Sequence, residues 1–95
     1  MKLVDPALKN TYASIRTKNK RAAAEIAYAL GVMCKQAGDY EGMKRYREES
    51  ISLYKETGVN TLNDAYPIYF SINEVMMPEL IHEDVVARDL SEPST

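Results

Sequence analysis

The 95-residue chain has no tryptophan, one phenylalanine, one histidine and one cysteine. A lone cysteine excludes an internal disulfide and suits a reducing compartment. A lone histidine excludes relays built on two imidazoles, and neither paired-cysteine zinc spacing nor a glycine-rich phosphate loop is present. Long apolar runs are also missing, since no uncharged stretch approaches the roughly 20 residues of a membrane span. Met1 to Pro6 does not read as a secretory leader, because Leu3-Val4 is followed at once by Asp5 and Pro6. These absences set the expectation of a cytoplasmic protein, not an enzyme, with no cofactor, no metal and no membrane partner.

What is present suits one small globular domain spanning 1–95. Hydrophobic residues make up 45% of the chain, enough for a single core but with little stability to spare at this size. Seven tyrosines favour interfaces that are apolar on one side and wet on the other. The net charge of −2 conceals a gradient: residues 1–24 sum to +5, residues 25–57 to −1 and residues 58–95 to −6. The ends should attract each other, within one chain or between chains. Two solvated faces are the plainer alternative, because exposed ion pairs contribute little.

Periodicity predicts helices throughout. Asp5-Pro6 is a start signal for a helix over 6–17, with Leu8, Tyr12 and Ile15 on one face. Lys18 to Lys20 reads as a joint, one continuous helix to Ala37 being the alternative because Asn19 falls on the same stripe. A second helix, 20–37, places Ala22, Ala23, Ile26, Leu30, Met33 and Ala37 inward, and Gly38 ends it. Asp39 then caps a third helix, 40–57, with an inward stripe of Met43, Tyr46, Ser50, Leu53 and Tyr54, and Ile51 beside it. Gly58 closes the pair, whose short connection makes the two helices antiparallel neighbours. A C-terminal capping segment, 61–91, follows. In it Thr61 or Asp64 caps a short helix from Leu62 to Ser71, where Pro67 is acceptable only in the first turn. Pro78 breaks the chain, and a last helix from Glu79 to Leu90 turns Leu80, Ile81, Val85, Val86 and Leu90 inward.

The 20–58 hairpin resembles the tetratricopeptide repeat over residues 24–58. The likeness rests on Ala24, Leu30-Gly31, the Gly38-Asp39-Tyr40 turn, Tyr46 and the Ser50-Ile51-x-Leu53 run at the spacing of that 34-residue unit. It implies that Gly31 lets the helices approach, that Tyr40 packs back over the first of them, and that Ser50 stands where the family usually has Ala. Ala27, Cys34, Met43 and Lys55 depart from the pattern, and no second copy is found. One repeat cannot cover its own apolar faces, so the flanks or another chain must do so. The expectation is an all-α fold, a tetratricopeptide-like hairpin within a compact bundle of four to five helices that self-associates.

The resemblance implies a partner surface on the first helix of the hairpin, at Tyr28, Val32, Lys35 and Gln36. Family members that clamp a terminal carboxylate carry a basic residue where Tyr28 stands and Asn where Val32 stands, so the surface here is apolar or aromatic. The plainer reading is that Tyr28 and Val32 pack on another helix of the same chain. The expected partner is a protein or peptide, or a second copy, and the role that of a scaffold or adaptor in a regulatory or signalling assembly. Two alternatives come from other classes. Lys9, Arg16, Lys18, Lys20 and Arg21 could follow nucleic-acid phosphates, although the chain is acidic and has no nucleic-acid motif. Glu79 and His82 have the spacing of half a carboxylate metal site, as a small helical enzyme or metal protein would use, but lack inward carboxylates to complete it. Cys34 reads as a buried small hydrophobe.

Overall fold

The computed structural model describes residues 5–59 and 61–91, and all regular structure among them is helical. The chain forms α1 (Pro6–Ile15), α2 (Lys20–Gln36), α3 (Tyr40–Glu56), α4 (Leu62–Met76), a 3-10 turn at Pro78–Leu80, and α5 (Glu83–Ser91). It is an all-α bundle. Most boundaries are made by caps visible in the sequence. Asp5 accepts from the Ala7 amide ahead of Pro6 at 2.9 Å, and Asp39 accepts from Gly42 at 2.9 Å. Asn19 settles the joint after α1. Its extended backbone (φ −147°, ψ 91°) breaks the helix, and its side chain accepts from the Ala22 amide at 3.1 Å to start α2. The first helix therefore stops at Ile15, two residues before Thr17.

The ends of α2 and α3 share one geometry. Gly38 and Gly58 have φ of 82° and 95°, a region costly for any side chain. Asp39 N–H then reaches the Cys34 carbonyl at 2.8 Å, and Val59 N–H reaches the Tyr54 carbonyl at 3.1 Å. Both are the six-to-one bond of a Schellman cap.

The hairpin is antiparallel and tightly packed. Ser50 Oγ donates to the Ala24 carbonyl at 2.8 Å, Gly31 faces Tyr46, and Gly42 faces Cys34, so residue numbers run in opposite directions along the seam. Every expected inward residue of α3 is buried, but the deep stripe of α2 differs. It runs through Ala23, Ala24, Ala27, Leu30, Gly31 and Cys34, whereas Ala22, Ile26, Met33 and Ala37 are only half-buried. The stripe is turned by about one residue, roughly 100° around the helix. The reason is steric, because the side of α2 with the smallest side chains is the side a neighbour can approach most closely. Tyr40, in contrast, does not pack back on α2; it is 58% exposed.

The flanks then cover the hairpin. α1 packs on α2, α4 packs on both α2 and α3, and α5 packs on α4. One apolar cluster draws on all five helices, through Tyr12, Leu30, Tyr46, Tyr69 and Val86 among others. α4 runs well past Ser71 and contains Pro67 beyond its first turn. An interior proline removes one helical hydrogen bond, yet Ala65, Tyr69, Ile72, Asn73 and Met76 are all buried on one side, and that burial holds the helix through the break. Thr61 is its cap, accepting from the Asp64 amide. The expected helix from Glu79 is divided. Leu80 and Ile81 amides bond three residues back, Asn73 Nδ2 donates to the Leu80 carbonyl at 3.2 Å, and α5 restarts only at Glu83. Of its expected inward residues only Val86 is fully buried.

The seam at Ser50 leaves no room for a larger group. We predict that Ser50→Val lowers stability by about 1–3 kcal/mol through overpacking, and Ser50→Ala by about 1 kcal/mol through the lost hydrogen bond. Urea unfolding followed by circular dichroism measures both.

Candidate functional site

α4 lies across the hairpin without sealing it. Between them runs a groove of about 370 Å³ lined by Tyr28, Tyr54, Pro67, Ile68, Ser71 and Ile72, with no charged side chain among them. Tyr28 comes from α2, Tyr54 from α3, and the other four residues from one face of α4. Pro67 is exposed on the edge of that helix, where solvent can meet the carbonyl that its missing N–H leaves unbonded. Tyr54 is held in its neutral form, its hydroxyl pushed up by burial first and by Glu25 second. Arg21 lies over its ring at 5.2 Å.

The four expected partner residues are placed differently from one another. Tyr28 lines the groove, and Val32 is half-buried against the core. Lys35 Nζ donates to the carbonyls of Val75 and Met76 at 2.7 and 2.9 Å, so it caps the C-terminal end of α4, where a cation also suits the helix dipole. Gln36 is exposed. Sequence spacing on α2 alone missed Ile68, Ser71 and Ile72, whose contribution depends on α4 continuing past Pro67.

A second, charged cleft of about 550 Å³ opens between α1, α3 and α5. Its floor is the outer face of α3 at Arg45, Glu48, Glu49, Ser52 and Lys55, positions three, four and seven apart that share one side of a helix. Glu49 is a hub: it accepts from Tyr12 Oη and pairs with Arg16 at 3.3 Å and Arg45 at 3.9 Å. Burial and this hydrogen bond push the Tyr12 hydroxyl well above its ordinary range.

At the far end the cleft meets a buried polar network. Arg47 Nε donates to Asn73 Oδ1 at 2.6 Å, and its terminal nitrogen pairs with Asp89 at 3.2 Å. Lys55 Nζ donates to the Asp89 carbonyl at 2.6 Å. Behind them the fully buried Tyr69 hydroxyl has no partner among the described residues. Burial, reinforced by Asp89, pushes it up to about 12. Arg47 was not foreseen as a buried residue, since its place among Met43, Tyr46, Ser50 and Tyr54 gives no sign of the asparagine and aspartate that receive it.

The other candidates have plain surroundings. Lys20 pairs with Glu56 at 3.2 Å, so the basic stretch, with Arg16 and Arg21, is largely engaged with α3. Glu79 and His82 do not share a helix: Glu79 lies in the 3-10 turn, and exposed His82 sits ahead of α5 with Nδ1 3.7 Å from Asp84. Cys34 is buried, and burial pushes its thiol up, which opposes thiolate chemistry.

Two outcomes follow for the polar network. Arg47→Met strands Asp89 and Asn73 and should cost about 3 kcal/mol in urea unfolding, most of it recovered when Asp89→Leu is added. Tyr69 ionises near 10 when unfolded and at about 12 when folded. Between these values the native state keeps a proton that the unfolded state has released, so stability falls as pH rises from 10 through 12. Tyr69→Phe should be close to neutral at pH 7 and should reduce that alkaline slope by about 1.4 kcal/mol per pH unit.

Compared with protein-family models, curated proteins and solved structures, the chain finds no match, so the geometry above carries the functional argument.

Proposed function

We propose that the chain is a non-enzymatic protein–protein interaction module, a scaffold or adaptor of the tetratricopeptide-like type, that associates with a second copy through the groove between Tyr28 and α4. The observation that carries this reading is the groove's composition. Two tyrosines, two isoleucines and a proline line it, and the small Ser71 leaves it open. Its volume of about 370 Å³ admits an apolar side chain or two. Such a pocket receives an anchor from a helix or extended segment, as buried aromatic and aliphatic hot spots do at interfaces. Leu62 and Val75, each 39% exposed on α4, supply apolar surface of the kind another copy would insert. A regulatory or signalling assembly is the setting this suits. Engagement of Arg16, Lys20 and Arg21 with α3 argues against a nucleic-acid role for the basic stretch.

Light scattering across protein concentration tests the proposal. The mass should rise from monomer towards dimer, and Ser71→Arg, at an exposed position on the groove, should hold it at the monomer value with an unchanged helical spectrum. A wild-type chain that stays monomeric at millimolar concentration contradicts self-association.

A further inference from the structure

α5 sits in a seat made by two other helices. It packs chiefly on α4, with Val86 fully buried, and it reaches α3 through Asp89, which pairs with Arg47 at 3.2 Å. Both charged side chains are largely covered, at 8% and 13% exposure. Among the described carboxylates Asp89 alone pairs with Arg47, so the seat specifies one charge at one place. Any copy of α5 meets that specification equally well.

The connection from α4 ties each α5 to its own seat. Its six residues, Met77-Pro78-Glu79-Leu80-Ile81-His82, include four apolar ones, and none of the six is fully buried. Turns that only reverse a chain favour Gly, Pro, Asn, Asp and Ser, of which Pro78 alone is present here. Leu80 and Ile81 are half-buried, and Val75, just before the connection, is 39% exposed. Met77 is already extended (φ −141°, ψ 72°), as the residue before a proline prefers. Fully extended, six residues span about 20 Å, against roughly 8–10 Å between the axes of two packed helices.

We propose that the seat of α5 is an interaction surface for a second copy of this chain. Two copies exchange α5, each placing its Asp89 against the Arg47 of the other, and Leu80 and Ile81 of the two opened connections pack together. The ties of α5 to its seat are the same in the closed and the exchanged form. The difference lies in the connections, whose apolar side chains cover each other only when two copies meet. A short connection gives a chain's own α5 an effective concentration of the order of millimolar, so the wild-type chain exchanges only near and above millimolar concentration. This association uses neither the Tyr28 groove nor Ser71.

Charge reversal tests the proposal on the full chain, with Ser71→Arg present throughout so that groove association stays separate. Arg47→Asp and Asp89→Arg each set like charges face to face within one chain. Refolded together from urea, the two variants should form a one-to-one dimer at micromolar concentration in analytical ultracentrifugation, while each alone stays monomeric. Adding Leu80→Ser and Ile81→Ser to both should weaken that dimer about tenfold or more. A mixture that keeps the monomer mass overturns the exchange, and a dimer indifferent to the serine changes overturns the role of the connection. Isotope-filtered NMR gives a second reading that does not depend on how the charge-reversed chains fold. In a millimolar mixture of labelled and unlabelled chains carrying Ser71→Arg alone, the Val86 methyls of the labelled copy should show contacts to α4 of the unlabelled copy. Contacts confined to one chain overturn the proposal.

Discussion

The close approach of α2 and α3 is the constraint on which the rest of the molecule depends. It is made by small side chains at matched positions: Ala23, Ala24, Ala27 and Gly31 on α2, Gly42 and Ser50 on α3. A methyl group built on Gly31 would lie 2.7 Å from the Met76 side chain and 3.4 Å from Tyr46 Cβ, so that glycine admits α4 as well as α3. Because the seam is thin, larger residues on either side of it, Leu30, Tyr46, Leu53 and Tyr54, remain available to meet α1 and α4. In a chain this short, two helices must serve both as core and as platform for everything else.

The seam also divides the surface of α3 by chemistry. Tyr54 looks toward the apolar groove, while Arg45, Glu49 and Lys55 look toward the charged cleft. Among the described residues, the basic start and the acidic end do not pair directly. α3 is the intermediary: its Glu49 and Glu56 take Arg16 and Lys20, and its Arg47 takes Asp89.

Punctuation was the legible part of the sequence. Asp5-Pro6, Gly38-Asp39 and Gly58 each act through bonds to residues a few positions away, and local chemistry suffices to read them, whereas Asn19 reads as part of an apolar stripe and is a cap in the structure. The inward stripe of α3 was legible too, since one clear side of a helix faces its partner. Reading failed where distant residues decide. Pro67 reads as acceptable only in the first turn of a short helix until the burial of Tyr69, Ile72 and Met76 is known. Leu80 reads as an inward residue of a helix starting at Glu79 until Asn73 takes its carbonyl. Both candidate sites were only partly visible for the same reason. Tyr28 could be picked from α2, but the groove around it is built by α4. Arg16 could be picked from the basic stretch, but Arg45 and Arg88 join it only after folding.

The attachment of α5 has a kinetic meaning. Val86 is its one fully buried side chain, Leu90 packs half-buried against the core, and Asp89 ties the helix to Arg47 and Lys55. Apolar burial of that extent is small beside the α2–α3 seam, so the free energy for releasing α5 alone lies far below that of global unfolding. The bundle is thus graded, with a hairpin that opens last and α5 among the elements that open before it. Release of α5 alone would leave the remaining helices intact and would admit solvent to the buried Tyr69 and Asn73.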